Sequence, residues 1–403
     1  LSNIEEYLAG TDMFAFDSDL DGIADGYDDE PLVKADVVRV DINQNGAIDI
    51  PRIGTVTSGV HNGKQAVIFF DSKSGAQTNS IYMPGWFTGT SAKITSDING
   101  NGVNEVVVLG NTSDGKKAWV VFDSVQKKVL SSVAFPAWFQ PTEFEVVPDY
   151  NGNNKDEILV LGQTSDGKKV WMMHDVAWRA EISRFVFPSW YSPVSYSLVK
   201  DTNGNGFPEL LSSGVASDSK ATWMLHDLHT TQQLRAQKQA VGLSMLDAER
   251  LSDISGNSID DAVLLGKNAN NKYFLRVQDA NTGSMVDTLN YPGWFAALDV
   301  AVQKDINSSG FNDVVTLGQT SDGKKAWLTH DSYQHNQLVA RVFPAWYQPS
   351  AIEVIPDING DGAQDILVEG ETSDGKVLLM VQHSKTGRDI RVIVMPNWFS
   401  MEN

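Results

Sequence analysis

The 403-residue chain contains no cysteine, which excludes a disulfide framework, thiol chemistry and cysteine-ligated metals. No apolar run approaches the roughly 20 residues that cross a bilayer, so membrane insertion is not expected. Basic residues are in short supply. The 31 Lys and Arg face 51 Asp and Glu, and the formal charge of −20 argues against nucleic acid or an anionic membrane surface as partner. The 7 histidines never fall at zinc-ligand spacing within one loop. The nucleophile-elbow, phosphate-loop and dinucleotide fingerprints are missing as well. The chain opens on Leu1, with neither an initiator Met nor a signal peptide, and reads as a processed product or a piece of something longer.

What is present is a repeat. An acidic-amide loop of pattern D-x-[NS]-x-[NSD]-[GNS]-x-x-[DE] begins at Asp41, Asp97, Asp149, Asp201, Asp253, Asp305 and Asp357, and from Asp97 onward the interval is a constant 52 residues. A second marker, P-x-W-[FY], keeps the same period at Trp86, Trp138, Trp190, Trp294, Trp346 and Trp398. Two unrelated markers locked to one period indicate a structural repeat whose unit cannot bury its apolar face alone.

The third copy displays the unit. Residues 144–148 form a short apolar strand entering the loop, and 157–164 a second β-rich run. Ser165-Asp166-Gly167-Lys168 is a hairpin turn, with Asp-Gly supplying positive φ. Residues 169–175 form a third strand, and a fourth begins near Arg184 and closes on Pro188-Ser-Trp190-Tyr191. Four antiparallel strands per 52 residues have the dimensions of a propeller blade. The sequence therefore predicts an all-β, seven-bladed β-propeller over residues 34–403. Its blades fall near 34–90, 91–142, 143–194, 195–246, 247–298, 299–350 and 351–403. Copies four and five drift. Ala240-Val-Gly242-Leu replaces the P-x-W element, and the hairpin turns read Ser217-Asp218-Ser219 and Ala269-Asn270-Asn271.

In each loop the side chains at positions 1, 3, 5 and 9 carry oxygen, and position 7 can offer its carbonyl. That is the oxygen-only cage calcium prefers. The predicted ligands are Asp41, Asn43, Asn45 and Asp49; Asp97, Asn99, Asn101 and Glu105; Asp149, Asn151, Asn153 and Glu157; Asp201, Asn203, Asn205 and Glu209; Asp253, Ser255, Asn257 and Asp261; Asp305, Asn307, Ser309 and Asp313; Asp357, Asn359, Asp361 and Asp365. Position 6 needs a left-handed turn. Glycine provides it cheaply, Asn154 tolerates it and Ser258 does so poorly, which makes the fifth site the weakest. Most loops hold only two carboxylates, predicting weak, extracellular-range affinity.

Residues 1–33 stand outside the repeat. Ser2 and Glu5 resemble a capping box opening a short helix. Asp17, Asp19, Asp21, Asp25 and Asp28 then converge on one hard cation if Gly22 lets the backbone turn sharply. This stretch resembles the thrombospondin type-3-like calcium linkers of bacterial exoproteins. The repeated loops resemble the FG-GAP or VCBS-type blades of integrin α-subunit propellers, departing from them in preferring Asn at positions 3 and 5. The resemblance implies calcium at about seven propeller sites plus one or more in the linker, and an extracellular or cell-surface location. It does not imply one function.

Two tryptophan series invite two readings. Trp119, Trp171, Trp223 and Trp327 recur in third strands, and the P-x-W residues end fourth strands. Either series could stack sugars or wedge blades apart, and repetition in register favours wedges. The His174-Asp175, His226-Asp227 and His330-Asp331 pairs read as strand-end hydrogen-bonding devices. The leading functional expectation is a non-enzymatic, ligand-binding or adhesion module recognising a glycan or a surface protein, with the P-x-W tryptophans as candidate contacts. One alternative is a polysaccharide lyase or hydrolase, whose one-off residues would include His61, His229, Arg235 and Arg250. The other is an architectural module of a larger exoprotein.

Overall fold

The computed structural model describes residues 41–401, apart from 44, 148 and 200. The predicted N-terminal helix and the aspartates at 17, 19, 21, 25 and 28 lie outside the described residues, as does the boundary proposed near residue 33. Within them the chain is all β, with 28 strands in seven four-stranded antiparallel sheets. This is a seven-bladed β-propeller. The first, second and third sheets lie in one compact unit and the fourth, fifth and sixth in another. The seventh belongs to the second unit except for residues 356–362 and 393–394.

The third sheet is representative. Its strands are Phe139–Val147, Glu157–Thr164, Lys169–Asp175 and Ala180–Val186, paired in chain order. The two middle strands carry unbroken buried runs because both of their faces are covered, whereas the last strand alternates at the surface. The sequence pattern places the first strand at 144; it begins at Phe139, because Pro141 is absorbed at a bulge, where no ladder donor is needed. The P-x-W tryptophans consequently end no fourth strand. They sit in a turn, closed by hydrogen bonds such as Phe139 N–H to the Pro136 carbonyl at 2.9 Å, that leads into the first strand of the next sheet.

After Trp86, Trp138, Trp294 and Trp398 the aromatic residue packs on a strand glycine. A Cβ on Gly162 would lie 2.4 Å from the Gln140 carbonyl oxygen and 2.8 Å from the Phe139 ring; Gly110 is hemmed in likewise by Phe87 and the Thr88 carbonyl, and Gly266 by Phe274 and the Ser244 carbonyl. Glycine here is demanded by close strand approach, not by φ. The first sheet is assembled from both ends of the described chain. Phe399–Met401 pairs antiparallel with Asp49–Val56, Val56 opposite Phe399. A strand from the C-terminal end thus completes the sheet opened by the N-terminal strands.

Candidate metal centres and the tryptophan face

The six loops from Asp97 to Asp357 each join the first and second strands of their sheet, the loop at Asp41 leads into Asp49–Val56, and the first aspartate organises the loop. In the third copy Asp149 accepts backbone N–H bonds from Gly152 (2.8 Å), Asn153 (3.1 Å) and Asn154 (2.7 Å). The same fan recurs on Asp97 from Gly100 and Gly102, both at 2.7 Å, on Asp201 from Gly204 and Gly206, both at 2.6 Å, and on Asp357 from Gly360 and Gly362, both at 2.7 Å. Position 6 is left-handed throughout, including the non-glycine residues Asn154 (φ 59) and Ser258 (φ 68). Burial disfavours the charge on Asp201, Asp253 and Asp305, but these N–H groups outweigh it and hold their carboxyls below the usual range.

The position-9 carboxylates are buried at the start of the second strand. Glu157 accepts from the Tyr150 N–H and the Asn151 amide, both at 2.6 Å. Burial pushes its carboxyl up to about 8, and the neighbouring Asp175 and Asp149 charges add to the rise. Glu105 rises to about 8, Glu209 and Asp313 to about 7, and Asp49 and Asp261 to about 6, with burial first among the causes each time. One loop oxygen in each of three copies, Asn151 Oδ1, Asp261 Oδ1 and Asp313 Oδ1, is buried without a hydrogen-bond partner. In native proteins such atoms are rare and call for an explanation.

A third acidic group joins each of six loops. The residue at the end of the third strand, Asp71, Asp175, Asp227, Asp279 or Asp331, or just past it, Asp123, accepts from the loop amides. Asn151 and Asn153 reach Asp175 at 2.6 and 2.7 Å, Asn43 and Asn45 reach Asp71 at 3.4 and 2.7 Å, and Asn99 reaches Asp123 at 3.1 Å. Asn205 reaches Asp227 at 2.7 Å, Asn257 reaches Asp279 at 3.0 Å and Asn307 reaches Asp331 at 2.8 Å. The sequence held the signal, since these aspartates keep the repeat period, but the adjoining histidines drew the reading toward a His-Asp pair. The drifted fifth loop is thinner. The Ser255 hydroxyl donates to Asp253 alone, at 3.1 Å, and only its backbone N–H meets Asp261, at 2.9 Å, where the Asn151 side chain in the third copy spans two carboxylates. In the seventh copy His383 occupies the strand-end position. Among the described residues no three or more His, Cys, Asp or Glu side chains gather as a metal-holding group. The donors at these loops are mixed carboxylate and amide.

The histidines play a different part from the one expected. His174, His226 and His330 are buried and meet Phe135 (5.3 Å), Phe187 (5.3 Å) and Tyr291 (5.6 Å) edge-on. Burial lowers each to about 4, so they are neutral packing groups. The tryptophans divide cleanly. Trp119, Trp171, Trp223 and Trp327 are fully buried wedges, whereas Trp86, Trp138, Trp294 and Trp346 are between 36% and 49% exposed, and Trp190 and Trp398 are half-buried. Of the one-off residues weighed for catalysis, His61 lies tilted against Tyr82 with ring centroids 3.9 Å apart, His229 stacks on Phe207, and Arg250 pairs with Asp260 at 3.2 Å.

No family model matches the chain, and no curated protein does. Among solved structures it is similar to BBS1N in complex with ARL6DN, soaked with mercury, at 11% identity and a TM-score of 0.50, over 85% of this chain and 95% of that one. It is also similar to a protein of unknown function from Bacteroides caccae, at 12% identity and a TM-score of 0.44, over 74% of this chain and 96% of that one. At 11% identity the first likeness speaks for the fold alone.

Proposed function

We propose that this chain is a calcium-stabilised propeller of the FG-GAP or VCBS type, acting as an extracellular recognition module for a glycan or a surface protein. The observation that carries the metal half is the repeated burial of a position-9 carboxylate against two other acids, with orphaned oxygens at Asn151, Asp261 and Asp313. A protein core tolerates such a cluster only if a proton or a cation relieves it. The oxygen-only donor set suits a hard cation, and positions 1, 3, 5 and 9 would hold it. Rotating an Asn151 or Asn153 amide by half a turn exchanges its N for its O, which converts a donor aimed at acid into a ligand. Bound calcium would neutralise the carboxylates and fix each loop against its two strands.

The recognition half is supported by the half-exposed tryptophans on linker turns, where an apolar ring face meets water without serving the core. Calorimetric melting tests the metal. With free calcium at about 100 times Kd each occupied site adds about 2.7 kcal/mol, so chelation should lower the melting temperature by several degrees. A melt indifferent to chelator defeats the reading. A glycan array run with calcium and with chelator tests the ligand class.

A further inference from the structure

In the second unit a cleft of about 480 Å³ opens between the hairpin turn of the fifth sheet, the linker that follows that sheet and the end of the second strand of the sixth. Its size lies within the range of small-ligand sites. Trp294 lines it and is 43% exposed. The preceding Gly293 has open space where a side chain would stand. Tyr273, Asn271, Lys272 and Gln319 complete the aromatic and polar wall.

Drift of the fifth copy changes what this cleft presents. In four regular copies the hairpin lysine is tied to the aspartate two residues before it: Lys116–Asp114 at 2.8 Å, Lys168–Asp166 at 2.8 Å, Lys324–Asp322 at 2.7 Å and Lys376–Asp374 at 2.8 Å. In the fifth copy Asn270 replaces that aspartate, so Lys272 loses its within-turn partner and lies on the cleft wall. The structure thus combines, once, an exposed indole, a cation released from its turn and two side-chain amides.

We propose that this cleft is a subsite for an acidic sugar, a pyranose bearing a carboxylate. The apolar face of the ring stacks on Trp294, the carboxylate meets Lys272, and ring hydroxyls meet the Asn271 and Gln319 amides. A lysine is a point charge and not a bidentate fork, so it selects charge more than geometry. The chain's charge of −20 opposes polyanions at long range. Binding is therefore local, carried by contacts within the roughly 8 Å over which charges still act at physiological ionic strength.

The proposal rests on the recognition reading and is tested separately from it. A galacturonate oligosaccharide and its neutral galactose counterpart are titrated calorimetrically into the wild type, Trp294→Ala, Lys272→Gln and Trp178→Ala, each first shown to melt cooperatively; Trp178 is 67% exposed and lies outside both the P-x-W series and the cleft. The wild type should bind the uronate with a Kd of about 0.1–1 mM, and Trp294→Ala should weaken it about tenfold. Lys272→Gln should abolish the preference over the neutral sugar, and Trp178→Ala should change nothing. Failure to bind uronate, equal binding of both sugars by the wild type, or an unchanged Kd in Trp294→Ala overturns the proposal. Equal losses in Trp178→Ala and Trp294→Ala also overturn it, yet leave the broader glycan reading standing. Steady release of unsaturated products would replace binding by cleavage and overturn it as a recognition site.

Discussion

The third and fifth copies of the repeat share a strand plan and differ in nearly everything laid on it. The third has a buried Trp171, an Asn151 that bridges two acids and a closed Asp-Lys turn. The fifth has Leu275, a Ser255 whose hydroxyl reaches one acid and an open Asn-Asn turn. Their backbones nevertheless pair in the same register, Gly162 opposite Pro141 and Gly266 opposite Met245. Drift is therefore confined to positions where a neighbour can compensate. The fold is held by those where none can.

The two glycines offer the sharpest way to break that distinction. Alanine at Gly162 or Gly266 puts a Cβ 2.4 or 2.8 Å from a facing carbonyl oxygen and within 3 Å of an aromatic ring. Since backbone cannot yield as a flexible side chain can, each substitution should cost about 3 kcal/mol or more, equally in the regular and the drifted copy. Chemical denaturation of the two variants checks this. A loss confined to Gly162→Ala would show that the fifth copy is loosely packed and that the plan itself has drifted.

A second difference lies on the first strands. At one repeat position the third copy carries Glu143 and the fifth carries Asp247. Burial raises Glu143, Glu145 adds to the rise, and Lys93 and Lys169 oppose it. Asp247 has no cation beside it in that way: burial first, and then the Asp299 carboxyl that shares a hydrogen bond with it, push it up to about 7 against the opposing Ala248 N–H and Ser195 hydroxyl. A raised folded pKa means that the contribution of Asp247 is full below the unfolded value of 3.8 and is lost as pH climbs through about 7. Asp247→Asn should therefore leave stability at pH 4 unchanged and raise it at pH 8 by about 2 kcal/mol. Melting curves at both values decide it. A uniform change would mean the pair does not share a proton.

The architecture was legible because two markers kept one period, and a constant period admits few folds. The loop turns were legible too, since spacing-by-two of Asp and Asn around a left-handed sixth position predicts the N–H fan that Asp149 collects. Two features were not. The third acid at each loop, Asp175 and its counterparts, is remote in sequence and becomes a neighbour only when the third strand pairs with the second, Asp175 opposite Glu157. The division of the tryptophans was hidden because period reports recurrence and not exposure. Trp171 stands mid-strand and is sealed between covered faces, whereas Trp138 stands on a linker turn whose carbonyl accepts the Ser165 N–H at 2.8 Å while its ring faces outward.

The smallest expected effect concerns position 6 of the two loops. Asn154 and Ser258 are both left-handed, at φ 59 and 68. Asparagine tolerates this region through local hydrogen bonding and serine does so less well, with a steric cost of about 1–2 kcal/mol for an ordinary residue. Glycine removes that cost but brings an entropic penalty of about 0.5–1 kcal/mol from the unfolded chain. Ser258→Gly should thus stabilise the protein by about 0.5 kcal/mol, and Asn154→Gly should be neutral or slightly harmful. Because Asp253 Oδ2 accepts the Ser258 N–H at 2.5 Å, freeing the turn also tightens the loop around its first carboxylate. Repeating both melts at saturating calcium therefore sharpens the contrast. If the fifth loop is limited by its turn, Ser258→Gly gains more from the ion than Asn154→Gly does. Equal calcium gains would place the weakness of that loop in Ser255 instead, the side chain that fails to bridge.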